Sequence, residues 1–280
     1  MSTSPAPPEQ LAHALSAHNL AVSQLIDVHF DMWPGLGSCK GLELLSFGAT
    51  ITGLDAADNE VGFYEAALAL PAALSASTVY VVSSSGSDTG TYRLQGIDAN
   101  GDYQDVTVTA TGTTPVAASG TWNHVQSCNA VSADNVGTVY VSTDAGALPT
   151  TTGDQIQTVM LPGKNYAINP VQECPNNWII LINSFSFSAD TNQVCVVQID
   201  CNREGRYIEN FRFFAADYEY FQEFHSPIKL WPGDRMRVKV ELSGGTGAEL
   251  TFGMNGTKIR NDLADMDAVF SAKHFFDRPG

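Results

Sequence analysis

Three oxygen-bearing side chains, Asp98, Asn100 and Asp102, alternate in the pentapeptide DANGD, as they do at the start of a calcium-binding loop. An EF-hand loop also needs Gly at its sixth position and a bidentate Glu at its twelfth. Tyr103 and Thr109 occupy those positions here. The central Asn-Gly pair is instead a strong hairpin signal, because both residue types accept positive φ. We therefore predict a turn between two strands, and a cation held incidentally by the three side chains is the alternative.

Other chemistry-bearing residues form no recognisable catalytic pattern. His13 and His18 are five apart, a poor spacing for a shared metal, and neither His124 nor His225 has an identifiable Ser or Cys partner. The sequence contains no GxSxG motif and no glycine-rich phosphate loop leading into a helix. We predict that the protein is not an enzyme and needs no cofactor or metal. Glycoside hydrolysis by a pair of carboxylates remains open, since an acidic chain offers many pairs.

Charge and hydropathy exclude two classes of partner. The net charge is −16 and no basic stripe is visible, which argues against nucleic acid. No run of eighteen apolar residues and no signal-peptide pattern occurs, so we expect no membrane partner. The five cysteines form no CxxC pair and predict reduced, mostly buried thiols in a protein made in a cytosol.

The elements that would position these residues are mainly strands. Residues 9–26 have a helical pattern, preceded by a Pro-rich arm, and the rest of the chain is rich in short Val-, Thr- and Tyr-containing runs separated by Gly, Asp and Asn. Basic residues are also unevenly spread, with two in residues 1–150 and twelve in residues 151–280. We predict an all-β protein with two antiparallel β-sandwich, jelly-roll-like domains after an N-terminal arm and helix. The expected divisions are 1–40 (arm and helix), 41–160 (β-sandwich), 161–260 (jelly roll) and 261–280 (tail).

Aromatic and apolar residues outside the expected cores are candidates for an interface. The segment 207–224 carries aromatics on both faces of its strands, which indicates that something other than the domain's own core covers one face. Core packing and a sugar-binding platform are the alternatives. Phe270, Phe275 and Phe276 are anchors that either fold onto the core or contact a neighbouring subunit. The candidate interface residues are Leu11, Leu15, Val22, Trp33, Phe211, Phe213, Tyr218, Tyr220 and Phe221.

Several turn sequences resemble those of a group of tailed-phage virion proteins, many of them from marine phages. The strand VYVVSSS at residues 79–85 precedes GIDAN at 96–100 and GTTPV at 112–116, which are similar to the GLDAN and GTTPV turns of that group. Residues 203–205 and 227–239 are similar to its jelly-roll portion, and the resemblance covers roughly residues 75–255. The first motif departs from the group by having Ile97 in place of Leu.

The resemblance implies a virion component assembled in the host cytoplasm. We expect a head decoration or cement protein that acts as a homo-oligomer, with a trimer preferred, and binds phage capsid proteins. A neck or tail adaptor, or a fibre-anchoring protein, is the first alternative. A carbohydrate- or receptor-binding module is the second.

Overall fold

A computed structural model describes residues 42–55, 61–62, 68–71, 73–132, 134–146, 148–149, 156–189, 193–201, 206–215, 219–242 and 246–260. Nearly all of them belong to one compact unit, residues 44–280. These residues contain strands and turns and no helix, and all the strand pairs recorded among them are antiparallel. The predicted all-β class is confirmed. The predicted N-terminal helix lies outside the described residues.

Two sheets enclose the first hydrophobic core. Sheet A has the order β1-β18-β13-β16, and sheet B has the order β15-β14-β17-β2-β3 with β12 also paired to β17. Their strands are β1 (Leu42–Asp55), β2 (Val61–Gly62), β3 (Leu68–Ala69), β12 (Val171–Glu173), β13 (Trp178–Ala189), β14 (Gln193–Cys201), β15 (Arg206–Ala215), β16 (Glu219–Leu230), β17 (Arg235–Leu242) and β18 (Thr246–Arg260). Phe185, Phe187 and Phe252 from sheet A meet Met236 and Val238 from sheet B in one buried cluster.

Two smaller sheets enclose the second core, built from the chain between β3 and β12. Their orders are β11-β8-β5-β6 and β10-β9-β4-β7. Their strands are β4 (Tyr80–Ser83), β5 (Thr91–Asp98), β6 (Tyr103–Thr109), β7 (Val116–Ala117), β8 (Trp122–Ala130), β9 (Val139–Ser142), β10 (Ile156–Met160) and β11 (Tyr166–Ile168). Trp122, Leu94 and Val141 are fully buried in this core.

The strand pairing crosses the division expected at residue 160. β1, β2 and β3 precede the second core in sequence, but β1 pairs with β18, β2 pairs with β17 and β3 pairs with β2. Strands that lie far apart in sequence meet because each buries its apolar face against the same core. The domain boundaries themselves stay a prediction.

Most predicted strands are present, and two differences are informative. The proline and glycine residues of the run 227–234 predict a turn between strands, but β16 extends to Leu230 and the turn occupies only the residues after it. Trp231 N donates to Asp234 Oδ2 at 2.8 Å, which closes that turn. Pro227 is tolerated within β16 because β16 lies at the edge of sheet A, where a missing N–H breaks no ladder. The second difference is β8, which we did not predict because its sequence is polar.

Candidate functional site

The DANGD segment is a turn that its first aspartate organises. Asp98 Oδ1 accepts hydrogen bonds from the backbone amides of Asn100 at 2.8 Å and Asp102 at 2.9 Å. Gly101 N donates to Asp98 O at 3.1 Å, and among the turn residues only Gly101 has positive φ, at 86°. This pattern is a three-residue loop with glycine at the left-handed position. The predicted turn is confirmed, but the expectation that Asn100 also adopts positive φ was wrong.

The same turn is docked onto the start of β13. Asn176 N donates to Gly101 O, and Asn176 Nδ2 donates to Asn100 O, both at 2.7 Å. Beside them the Tyr103 and Trp178 rings lie 6.5 Å apart between centroids, and Lys258 Nζ lies 5.6 Å from the Tyr103 centroid. The turn therefore joins the second core to sheet A of the first. Within the described residues, no group of three His, Cys, Asp or Glu side chains lies close enough to hold a metal ion.

Asp88 is a buried carboxylate that serves as an acceptor for a neighbouring loop. Burial by itself would raise its pKa, but hydrogen bonds from the Ser83 hydroxyl and the amides of Val136 and Gly137 hold the pKa below its usual range. Those two amides are 2.7 and 2.9 Å from its oxygens. Asp88 therefore connects the loop before β9 to the end of β4.

A seam of buried polar side chains separates the two cores. His124 Nε2 donates to Val171 O at 2.6 Å, and Gln126 Nε2 donates to Glu173 O at 2.5 Å. Asn169 Nδ2 donates to Val125 O at 2.9 Å. Burial lowers the pKa of His124 to about 4, and the nearby Arg235 also lowers it, so the ring is neutral at pH 7. β8 is polar because its side chains supply these bonds, and the sequence holds no pattern that reveals it.

A small cleft opens at this seam. It has a volume of about 180 Å³ and is lined by His124, Arg235, Arg237 and four apolar or small residues. Arg235 Nε donates to Glu173 Oε2 at 2.6 Å, so the charge of Arg235 is paired inside the fold. The cleft is much smaller than the pockets that hold most small-molecule ligands.

The two cysteine side chains that the structure describes agree with the prediction of reduced, buried thiols. Cys128 and Cys174 are free and buried. Burial raises the pKa of the Cys128 thiol to about 12 and raises that of Cys174 further above its ordinary value. Both thiols are therefore protonated and unreactive at pH 7.

The aromatic segment divides between the core and the surface. Phe211 is half-buried and packs against Phe185 and Phe224, with centroid distances of 6.0 and 5.6 Å. Phe221 is 60% exposed and Tyr220 is 36% exposed. Because adjacent strand residues point to opposite faces, Tyr220 and Phe221 do not form one flat stacking platform for a sugar.

The structure describes no side chain of the remaining predicted interface residues, so it does not place them beside Tyr220 and Phe221. Leu11, Leu15, Val22, Trp33 and Tyr218 lie outside the described residues. Phe213 lies in β15, opposite Cys195 of β14. Their part in an interface stays a prediction.

The solvent side of sheet A consists mainly of small polar residues. Ser184, Ser186 and Ser188 of β13 alternate with the buried phenylalanines and pair across to β16 and β18. The neighbouring rows are Gly48 and Thr50 of β1, Thr251, Gly253 and Asn255 of β18, and Glu219, Phe221 and Glu223 of β16. Phe221 is the large apolar side chain that rises from these rows. Sequence reasoning found Phe221 but missed the serine row, although the alternation in SFSFS was its signal.

Exposed valines near the second core were also missed. Val131 and Val136 are 60% and 63% exposed, and Tyr166 is 41% exposed. Hydrogen bonds from Ala130 N to Asn165 O and from Asn135 N to Lys164 O connect the loops that carry them. No period in the sequence distinguishes these residues from core valines.

The described residues contain no helix long and apolar enough to cross a membrane. No family model matches the chain, and no curated protein matches it. Among solved structures, it is similar to infectious bursal disease virus Gx strain, with 10% identity, coverage of 79% of this chain and 72% of that chain, and a TM-score of 0.23. The virus-derived T=1 particles match with 9% identity, 79% and 70% coverage, and a TM-score of 0.21. Likenesses this distant carry no argument about function.

Proposed function

We propose that this chain is a virion structural protein of a tailed phage, assembled in the host cytoplasm. Within the virion we assign it to head decoration, as a symmetric homo-oligomer, preferably a trimer, that binds neighbouring shell subunits. The observation that carries the proposal is the solvent side of sheet A. Its rows of Ser, Thr and Gly with the protruding Phe221 suit contact with a second broad protein surface.

The strand order supports a jelly roll, the architecture that many capsid proteins use. Of the strands β13 to β18, sheet A contains β13, β16 and β18, and sheet B contains β14, β15 and β17. β1 completes four strands in sheet A, and β2 is the fourth neighbouring strand of sheet B, which also contains β3 and β12. The second core then lies in the connection between β3 and β12. This arrangement agrees with the resemblance to tailed-phage virion proteins that the turn sequences carry.

The proposed action is to hold neighbouring shell subunits together. Each copy contacts two or more shell subunits, and the summed contact area resists outward pressure from packaged DNA. Stable interfaces of this kind bury on the order of 1,000 Å² or more. The contacts are residues 1–40 and the exposed part of β16, because rigid aromatic side chains contribute most to interface energy.

Copy number in the purified virion tests the proposal. Quantitative mass spectrometry against the major shell protein should give a ratio near that of a shell-wide component. A count corresponding to one or two rings would instead favour a neck or tail adaptor. Absence of the protein from purified virions would overturn the structural role altogether and leave carbohydrate binding to be tested on a glycan array, with Phe221→Ala as the variant.

A further inference from the structure

The cleft at the seam between the two cores combines positive charge with apolar surface. Arg235 and Arg237 of β17 supply the charge. The remaining lining residues are His124 and the apolar or small residues Leu70, Pro71, Ala73 and Val171. Because the chain as a whole carries a net charge of −16, two neighbouring arginines at one cleft indicate a local site for an anion.

The strand register places the two arginines on the same face of sheet B. Residues two apart on a strand point to one side of the sheet. Arg237 and Lys239 therefore continue the row that begins at Arg235. Glu173 of β12 and Asp200 of β14 both lie opposite Arg235, whereas uncharged residues lie opposite the other two cations. These register positions hold three cations and two carboxylates, so the row keeps a net positive charge.

Arg235 can bind an anion without giving up its partner in the fold. Its Nε donates to Glu173 Oε2 at 2.6 Å, and its side chain is 32% exposed. A guanidinium has five N–H donors, and the other four belong to the two terminal nitrogens. Arg237 also interacts within the fold, and the same number of donors allows it to serve an additional acceptor.

His124 lines the cleft without adding charge. Its Nε2 donates to Val171 O at 2.6 Å, and its pKa of about 4 keeps the ring neutral at pH 7. Burial is the main cause of this low pKa, and the charge of Arg235 adds to it, which agrees with a positive potential in the cleft. An anion would therefore bind the arginines, and the imidazole ring would report its presence.

The size and the lining of the cleft select the class of anion. A volume of about 180 Å³ is below the range of pockets for drug-sized ligands, so the ligand has only a few non-hydrogen atoms. A carboxylate matches the donor geometry of a guanidinium, and an attached aliphatic chain can lie against Leu70, Pro71 and Val171. A phosphate ion also binds arginine, but it would leave this apolar surface uncovered.

We propose that the cleft binds a small monocarboxylate with a short aliphatic chain. The carboxylate accepts hydrogen bonds from Arg235 and Arg237, and the chain lies against the apolar lining residues. The proposal concerns this cleft alone and does not depend on a role in a virion.

Titration of the full-length protein with butyrate at pH 7 tests the proposal. We expect the ring C–H signals of His124 in ¹H–¹³C NMR spectra to shift and saturate, with a Kd on the order of 1 mM for a ligand of so few atoms. The variant His124→Gln identifies these signals among those of the six histidines. Butyramide, which has a similar shape and no charge, should cause no saturable shift at the same concentrations.

Substitutions locate the binding groups. Arg237→Gln should weaken butyrate binding by about tenfold or more, because a charge-assisted contact is lost. Arg93→Gln, the same change at an exposed arginine of β5, should leave the Kd unchanged. Leu70→Ala should weaken the binding of butyrate about threefold and that of acetate less, because acetate has too short a chain to use that contact.

The comparison of ligands in the native protein decides the outcome even if a variant fails to fold. Equal shifts with butyrate and butyramide, or no saturable shift with butyrate, would overturn the proposal. Saturation by phosphate but not by butyrate would show a site for inorganic anions, and the assignment to a carboxylate would be wrong. Equal weakening by Arg93→Gln and Arg237→Gln would attribute binding to overall charge and would also contradict the proposed site.

Discussion

Gly101 is the residue on which the joint between the two cores depends. Its φ of 86° is strained for any residue with a side chain, and a Cβ there would lie 2.7 Å from Asn176 Nδ2. We expect Gly101→Ala to lower the free energy of unfolding by about 1–2 kcal/mol. Urea unfolding followed by tryptophan fluorescence measures the change.

Gly86→Ala is the matched control for that substitution. A Cβ at Gly86 meets no atom within 4 Å, and its φ is not positive. This change should alter stability by less than about 0.5 kcal/mol. Equal effects at the two glycines would contradict the role given to Gly101.

His124 makes the protein sensitive to acid. Its pKa is about 4 in the folded protein and 6.5 when unperturbed, so between these values the unfolded chain binds more protons than the native one. The free energy of unfolding is therefore unaffected by His124 above about pH 6.5 and falls as the pH drops toward 4. The loss due to this residue is on the order of 3 kcal/mol.

The variant His124→Gln isolates this contribution. Gln can still donate to Val171 O but does not titrate, so the slope of stability between pH 6.5 and 4.5 should be shallower than in the native protein. Asp88, whose pKa is lowered, stabilises the fold at all pH values above its ordinary range and loses that contribution only below about pH 4. Parallel slopes for the native protein and the variant would show that another group causes the acid sensitivity.

At the scale of elements, Phe211 of β15 and Phe221 of β16 have opposite surroundings. Phe211 packs among Phe185 and Phe224, whereas Phe221 faces solvent. Phe211→Ala should cost about 2–3 kcal/mol of stability, below the full cost for a buried Phe because Phe211 is half-buried. Phe221→Ala should change stability by no more than about 0.5 kcal/mol.

Thermal unfolding of these two variants also separates core from interface. Both substitutions remove the same phenyl ring, so a difference in Tm reports only the surroundings. If Phe221→Ala lowers the Tm as much as Phe211→Ala, Phe221 is covered by part of the same chain, and its proposed role as a surface contact is wrong. If Phe221→Ala leaves the Tm unchanged but abolishes binding to the virion, Phe221 is a contact with the shell.

For the whole molecule, the proposed role predicts that folding and attachment to the shell depend on different parts of the chain. The two described cores lie within residues 44–260, so deletion of residues 1–30 should leave the Tm close to that of the native protein. The same deletion should reduce binding to shells that lack the protein to background, because the proposal places a main contact in the arm. Sedimentation with such shells measures binding, and full binding by the shortened protein would contradict the role of the arm.

The sequence by itself determined the all-β class, most of the strands and the turn at DANGD. These are local properties, because alternation, β-branched residues and Asn-Gly pairs act over a few neighbouring positions. It also identified Phe221 as a surface candidate. It did not identify β8, whose buried His124 and Gln126 are stable only because backbone carbonyls at residues 171 and 173 accept their hydrogen bonds.

Only the tertiary structure decided which strands share a sheet. β1 pairs with β18 and β2 with β17 across most of the chain, since pairing over such separations depends on which apolar faces a common core can bury. The same holds for Asn176, which anchors a turn seventy-six residues away. Local pattern selects strands and turns, whereas the burial of their faces and the pairing of their polar groups select the partners.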